Sequence, residues 1–103
     1  MNTKRKYGSK DLEKRLGALT IGEFLKTWRM TEEMTAKELS GKIGISTQNL
    51  CDIEKGRKGV SPAKANEMAK ALRLPPTLLV KLALDSELRD AGLKFTIEIK
   101  SVA

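Results

Sequence analysis

The chain has 103 residues, 20 Lys plus Arg against 13 Asp plus Glu for a net charge of +7, no His and one Cys. That length allows one small domain with short extensions. Without His there is no Ser-His-Asp or Cys-His nucleophile, one Cys makes neither a disulfide nor a Cys-based zinc or iron–sulfur centre, and no Asp/Glu cluster has calcium-loop spacing, so the expectation is a binding module that is not an enzyme and holds no metal or cofactor.

In chain order, residues 1–19 read as a basic extension. Residues 1–16 hold six bases and two acids; the first ten are expected to be disordered, and 11–16 to form a short helical turn that is marginal unless docked. The opening run MNTKRKYGSK lacks the apolar stretch of a secretory signal, and no segment approaches the roughly 18 apolar residues of a membrane span. One unpaired Cys suits a reducing compartment, so the expected address is cytoplasmic, with no membrane partner.

Residues 20–92 read as five helices. Thr20 and Glu23 have the spacing of a capping box, with Leu19 and Phe24 as its hydrophobic staple, and open a helix over about 21–30 whose stripe is Ile21, Phe24, Leu25 and Trp28. Thr35 and Glu38 repeat the box, with Met34 and Leu39 as staple, before a helix over 36–43. Only Gly44, Ile45 and Ser46 separate it from the next, over 47–55, where Ser46 is the cap and Ile45 and Leu50 the staple. So sharp a turn suits a glycine in the left-handed conformation. Gly56 ends the third helix, residues 57–59 make a basic loop, Ser61-Pro62 opens a fourth helix to Leu72, and Pro75-Pro76 breaks the chain before a fifth that Gly92 closes. Residues 17–84 carry eleven bases and seven acids, against three and four over 85–103, so a polyanion would meet the first three-quarters of the chain.

Residues 93–103 are expected to contain a β-strand. Phe95, Ile97 and Ile99 alternate with Thr96, Glu98 and Lys100. A lone strand needs a ladder from elsewhere, either a second copy across a twofold axis or the sheet edge of another protein.

The stretch 34–56, MTAKELSGKIGISTQNLCDIEKG, resembles the XRE-type (lambda-repressor-like) helix-turn-helix DNA-binding domains: it has the Glu-Leu pair, the turn glycine and the closing Ile-Glu-x-Gly at matching separations. The resemblance spans roughly residues 20–83. It implies an all-α, five-helix lambda-repressor-like domain, here expected with the C-terminal β-strand extension, and a partner in double-stranded operator DNA. Independently, a third helix packed through Leu50 and Ile53 leaves Thr47, Gln48, Cys51, Asp52 and Lys55 on its other side.

In such a fold the start of this helix enters the major groove, where Gln or Asn pairs with adenine, Thr makes polar or methyl contacts and a carboxylate accepts from cytosine. Thr47, Gln48, Asn49 and Asp52 are therefore the base-reading candidates. Asp52 could equally repel phosphate, and Cys51 reads as a small groove-side residue. Thr35, Ser46, Lys55, Arg57 and Lys58 are candidates for phosphate. Ala36 stands where many members of the family have a phosphate-touching Gln, and Lys37 where a small apolar residue is frequent. By the same resemblance Arg29 and Glu54 form a structural ion pair.

A single recognition helix reads few base pairs, which argues for a homodimer through the fifth helix and the strand. The chain also resembles the HigA-type antitoxins of bacterial toxin–antitoxin modules, which bind a small protein toxin and repress their own operon; the strand and the basic residues 4–15 would be the toxin contacts. A stand-alone or phage-type repressor and a non-DNA-binding interaction module are the alternatives, and few aromatics disfavour an RNA-binding adaptor.

Overall fold

The computed structural model describes residues 19–100 and Val102. Residues 1–18, which hold most of the basic extension and the stretch 11–16 where a helical turn is expected, lie outside them. Five helices follow in order: α1 Ile21–Thr31, α2 Ala36–Ile43, α3 Thr47–Glu54, α4 Pro62–Leu72 and α5 Pro76–Asp90.

The first four helices begin where a side chain satisfies unpaired amides, whereas α5 follows Pro75 without a side-chain cap. The Thr20 hydroxyl accepts from the Glu23 amide at 3.0 Å while the Thr20 amide donates to Glu23 Oε1 at 2.9 Å. Thr35 and Glu38 form the same reciprocal pair at α2, at 3.1 and 2.9 Å. There the Thr35 amide first, and its hydroxyl second, hold the Glu38 carboxyl below its ordinary range. Ser46 and Ser61 cap α3 and α4 by accepting from the amides of Asn49 and Lys64, and Pro62 and Pro76 occupy first-turn positions. Leu19, Met34 and Ile45, each one residue before a cap, pack on the core that holds Phe24, Leu39 and Leu50.

The core draws on every helix: Phe24 and Leu25 from α1, Leu39 from α2, Leu50 from α3, Met68 from α4, and Leu79 and Leu82 from α5 are all essentially inaccessible. α4 and α5 pack on each other, α1 rests on α5 and α2 on α4, whereas α3 packs chiefly on α1 and α2. This leaves α3 at one edge of the molecule with its outer side uncovered. Its buried residues are Leu50 and Ile53, one stripe and no more.

The β-strand extension expected over 93–103 is not seen among the described residues. Among the described residues there is no strand, and the fold is all-α. Phe95 is 67% exposed, and Ile97 and Ile99 are half-buried in irregular chain. Alternation alone does not make a strand, because its amides and carbonyls need a ladder and no other described segment offers one. The start of the segment instead finishes α5: Gly92 takes φ +74° and the Leu93 amide donates to the Leu88 carbonyl at 2.9 Å. No helix of the described residues is long and apolar enough to cross a membrane.

Candidate nucleic-acid interface

α2, a three-residue turn and α3 form the outer edge. Gly44 makes the turn possible at φ +76°, a conformation with a large penalty for residues bearing a Cβ. Its amide and that of Ile45 both return to the Ser40 carbonyl. The Ser40 side chain, 3% exposed, closes the corner from inside: its Oγ donates to the Lys37 carbonyl at 3.0 Å and lies 3.1 Å from Thr47 Oγ1. With the Ser40 proton on Lys37, Thr47 is the donor of the second bond. Thr47 is thereby held in the turn, with its methyl group left for contact.

Along α3 the expected outer side is indeed uncovered, but its side chains are already joined to one another. Gln48 is exposed and its Nε2 donates to Asp52 Oδ1 at 3.1 Å. Arg57 Nη1 lies 3.6 Å from the same Oδ1, with the Arg57 side chain 61% exposed. Asn49 sits at the flank, half-buried, where its Oδ1 accepts from Lys58 Nζ at 2.6 Å. Cys51 is half-buried and free, and Lys55 is exposed at the C-cap. The structure thus gathers Thr47, Gln48, Asp52, Lys55 and Arg57 on one side and turns Asn49 towards the loop.

That loop is fastened to α3 through Asp52 as well, whose carbonyl accepts from the amides of Arg57 at 2.8 Å and Lys58 at 3.2 Å. Of the other phosphate candidates, Ser46 and Thr35 are exposed helix caps. At α2 the Thr35 amide is occupied by the Glu38 carboxylate, so an incoming phosphate would use the amides of Ala36 and Lys37 beside a fixed negative charge.

Two features set the height of α3 on the molecule. Arg29 Nε and Nη2 donate to the two Glu54 carboxylate oxygens at 2.8 and 3.1 Å, and Arg29 Nη1 donates to the Met34 carbonyl at 3.3 Å. One guanidinium therefore ties the end of α1 to the end of α3 and to the turn before α2. The side chains are 19% and 6% exposed, and the bonds to Glu54 raise the already high pKa of Arg29. Glu54 at the negative end of the α3 dipole would be unfavourable without that cation.

The second feature was not legible as such in the sequence. Gly22 faces the last turn of α3 so closely that a Cβ there would collide with the Ile53 carbonyl oxygen. In the sequence Gly22 is only the third position of a capping box, and what it meets is Ile53, in a helix distant along the chain. Val60 supports the site too: it is 7% exposed and anchors the basic loop in the core. Its signal was present, since it precedes the Ser61 cap and stands in staple relation to Ala65.

A family model described as a helix-turn-helix domain matches residues 20–82, from the first cap into α5. The chain belongs to the helix-turn-helix domain family. It is also similar to the HTH-type transcriptional repressor RghR of Bacillus subtilis (strain 168), 29% identical over 83 residues, a match covering 79% of this chain. The match covers 62% of the repressor. No solved structure matches. Within the matched span the helix-turn-helix is α2, the Gly44 turn and α3, with the basic loop after it.

Proposed function

We propose that the chain is a sequence-specific DNA-binding regulator of transcription, with residues 20–92 as the unit that docks on operator DNA. The observation that carries this is the uncovered side of α3: a major-groove-sized helix, buried only through Leu50 and Ile53, presents Thr47 and Gln48 near its N-terminus with exposed Lys55 and Arg57 at its far end. Side chains at the helix start would meet base edges, and the bases at its end would meet phosphates. One α3 reads only a few base pairs, so selective binding calls for two copies on half-sites about 34 Å apart. Work on DNA fits the expected cytoplasmic address.

Similarity to a Bacillus subtilis repressor supports repression as the outcome of binding. Repression is the outcome for an antitoxin acting on its own operon and for a stand-alone repressor alike, so the similarity supports both readings. The toxin contacts envisaged for an antitoxin were a strand over 93–103, where the described residues hold none, and residues 4–15, outside them.

Titration against the chain's own promoter and a scrambled duplex at about 150 mM salt tests the proposal. Selective binding of two protomers to the promoter is expected. Gln48→Ala should remove about 1–3 kcal/mol of that preference, whereas Arg57→Ala should weaken both duplexes alike and lower the salt slope by about 1. Equal, weak binding of the wild type to both duplexes would overturn it.

A further inference from the structure

We infer that Asp52 is a positioning residue for base recognition: its carboxylate fixes which way round Gln48 presents its amide, so that the protein prefers adenine over guanine at the base pair opposite Gln48. This rests on the DNA-binding role proposed above. It also replaces the expectation that Asp52 itself reads cytosine.

The chemistry begins with what each group can do. A carboxylate only accepts hydrogen bonds, whereas a glutamine amide has one accepting oxygen and two N–H donors on its nitrogen. Asp52 Oδ1 lies 3.1 Å from Gln48 Nε2. Turned the other way, the amide would set its oxygen against the carboxylate, acceptor against acceptor. With Asp52 taking one N–H, the remaining N–H and Oε1 lie in the plane of the amide and are available together at the exposed tip of Gln48.

One donor beside one acceptor matches the major-groove edge of adenine, whose N7 accepts and whose N6 donates. It mismatches guanine, where N7 and O6 both accept. If the amide were free to turn, nothing would fix the order of donor and acceptor along the groove, and part of the binding energy would go into ordering the side chain.

Asp52 is itself poorly suited to reading a base. Oδ1 is engaged by Gln48 and lies 3.6 Å from Arg57 Nη1, and the side chain is 24% exposed. Arg57 stays 61% exposed, with donors left for a phosphate. The carboxylate therefore stands between a base reader and a phosphate anchor and holds both in place before DNA arrives. Such pre-ordering cuts the cost of binding without adding a contact.

The experiment selects duplexes with a randomised centre on the full-length wild type, then measures binding to the enriched duplex and to its single-base-pair variants. Four proteins are compared: wild type, Asp52→Ala and Asp52→Ser, whose side chains are too short to reach Gln48, and Asp52→Glu, whose longer side chain keeps a carboxylate that can only accept from Nε2. The readout is the ratio of affinities for A and G at the position where Gln48→Ala abolishes discrimination. Removing a carboxylate strengthens binding to every duplex through charge, and a ratio is blind to that uniform gain.

In Asp52→Ala and Asp52→Ser the ratio should fall roughly tenfold, and in Asp52→Glu it should stay within about twofold of the wild type. Trp28 fluorescence melts identify any variant that has lost its fold; the other short variant and Asp52→Glu then decide. A wild type that enriches no sequence overturns the DNA-binding role and this inference together. Enrichment by the wild type, with unchanged ratios in the short variants or a loss in Asp52→Glu as deep as in Asp52→Ala, overturns the assignment of Asp52 alone.

Discussion

Two glycines near α3 are required for different physical reasons, and the same substitution separates them. At Gly44 the φ of +76° is the constraint, since an added Cβ would meet nothing within 4 Å. Gly44→Ala should therefore cost about 1–2 kcal/mol, the penalty of a left-handed residue, with little displacement of α3. At Gly22 the backbone is ordinary helix, but a Cβ collides with the Ile53 carbonyl, and backbone cannot yield as a flexible side chain can. Gly22→Ala should cost about 3 kcal/mol or more and tilt α3 away from α1. Thermal melts followed by Trp28, with operator titration alongside, check both: Gly44→Ala should keep its selectivity once folded, and Gly22→Ala should lose it. Equal destabilisation with equal selectivity would remove the distinction. Gly44 was legible in the sequence because its neighbours state its conformation: a helix before, a cap two residues after. Gly22 was not, because a close approach is a property of two segments.

At the scale of elements, the starts of α1 to α4 were legible to the residue because capping is a contract among four consecutive residues. The junction of α1 with α3 is different in kind. Arg29 and Glu54 are 25 residues apart, and only the resemblance to known domains paired them; the geometry adds the bond from Arg29 to the Met34 carbonyl, which extends the brace to the turn before α2. The pair is neither exposed nor fully buried, so removing one partner should cost about 2–3 kcal/mol, between the surface and interior limits. Glu54→Ala should lower the melting temperature and weaken operator binding although Glu54 lies beneath the outer side of α3. Combining Arg29→Met with Glu54→Leu should recover most of the stability, since an apolar pair leaves no uncompensated charge. A Glu54→Ala protein that melts as the wild type does and still loses operator binding would instead place Glu54 in the DNA contact.

For the whole molecule, the burial pattern that exposes α3 also limits what lies beyond α5. The alternation of Phe95, Ile97 and Ile99 met the sequence criterion for a strand, yet that criterion tests periodicity and not whether a neighbouring edge exists. α5 is already closed by Gly92 and the Leu93 amide, so residues 94–103 can be removed without opening its last turn. The loss is that of partial contacts from Ile97 and Ile99, worth about 1–2 kcal/mol by area. For a domain of this size that corresponds to a fall of about 5–10 °C in melting temperature. A chain ending at Leu93 should therefore stay folded, keep its sedimentation behaviour at matched concentration and bind operator with the same stoichiometry as the full chain, because α3 and its supports lie wholly within 19–93. Dissociation of a wild-type dimer on deletion would show instead that the C-terminal segment joins two copies, and the self-association surface would then have to be sought along that segment and not along the helices.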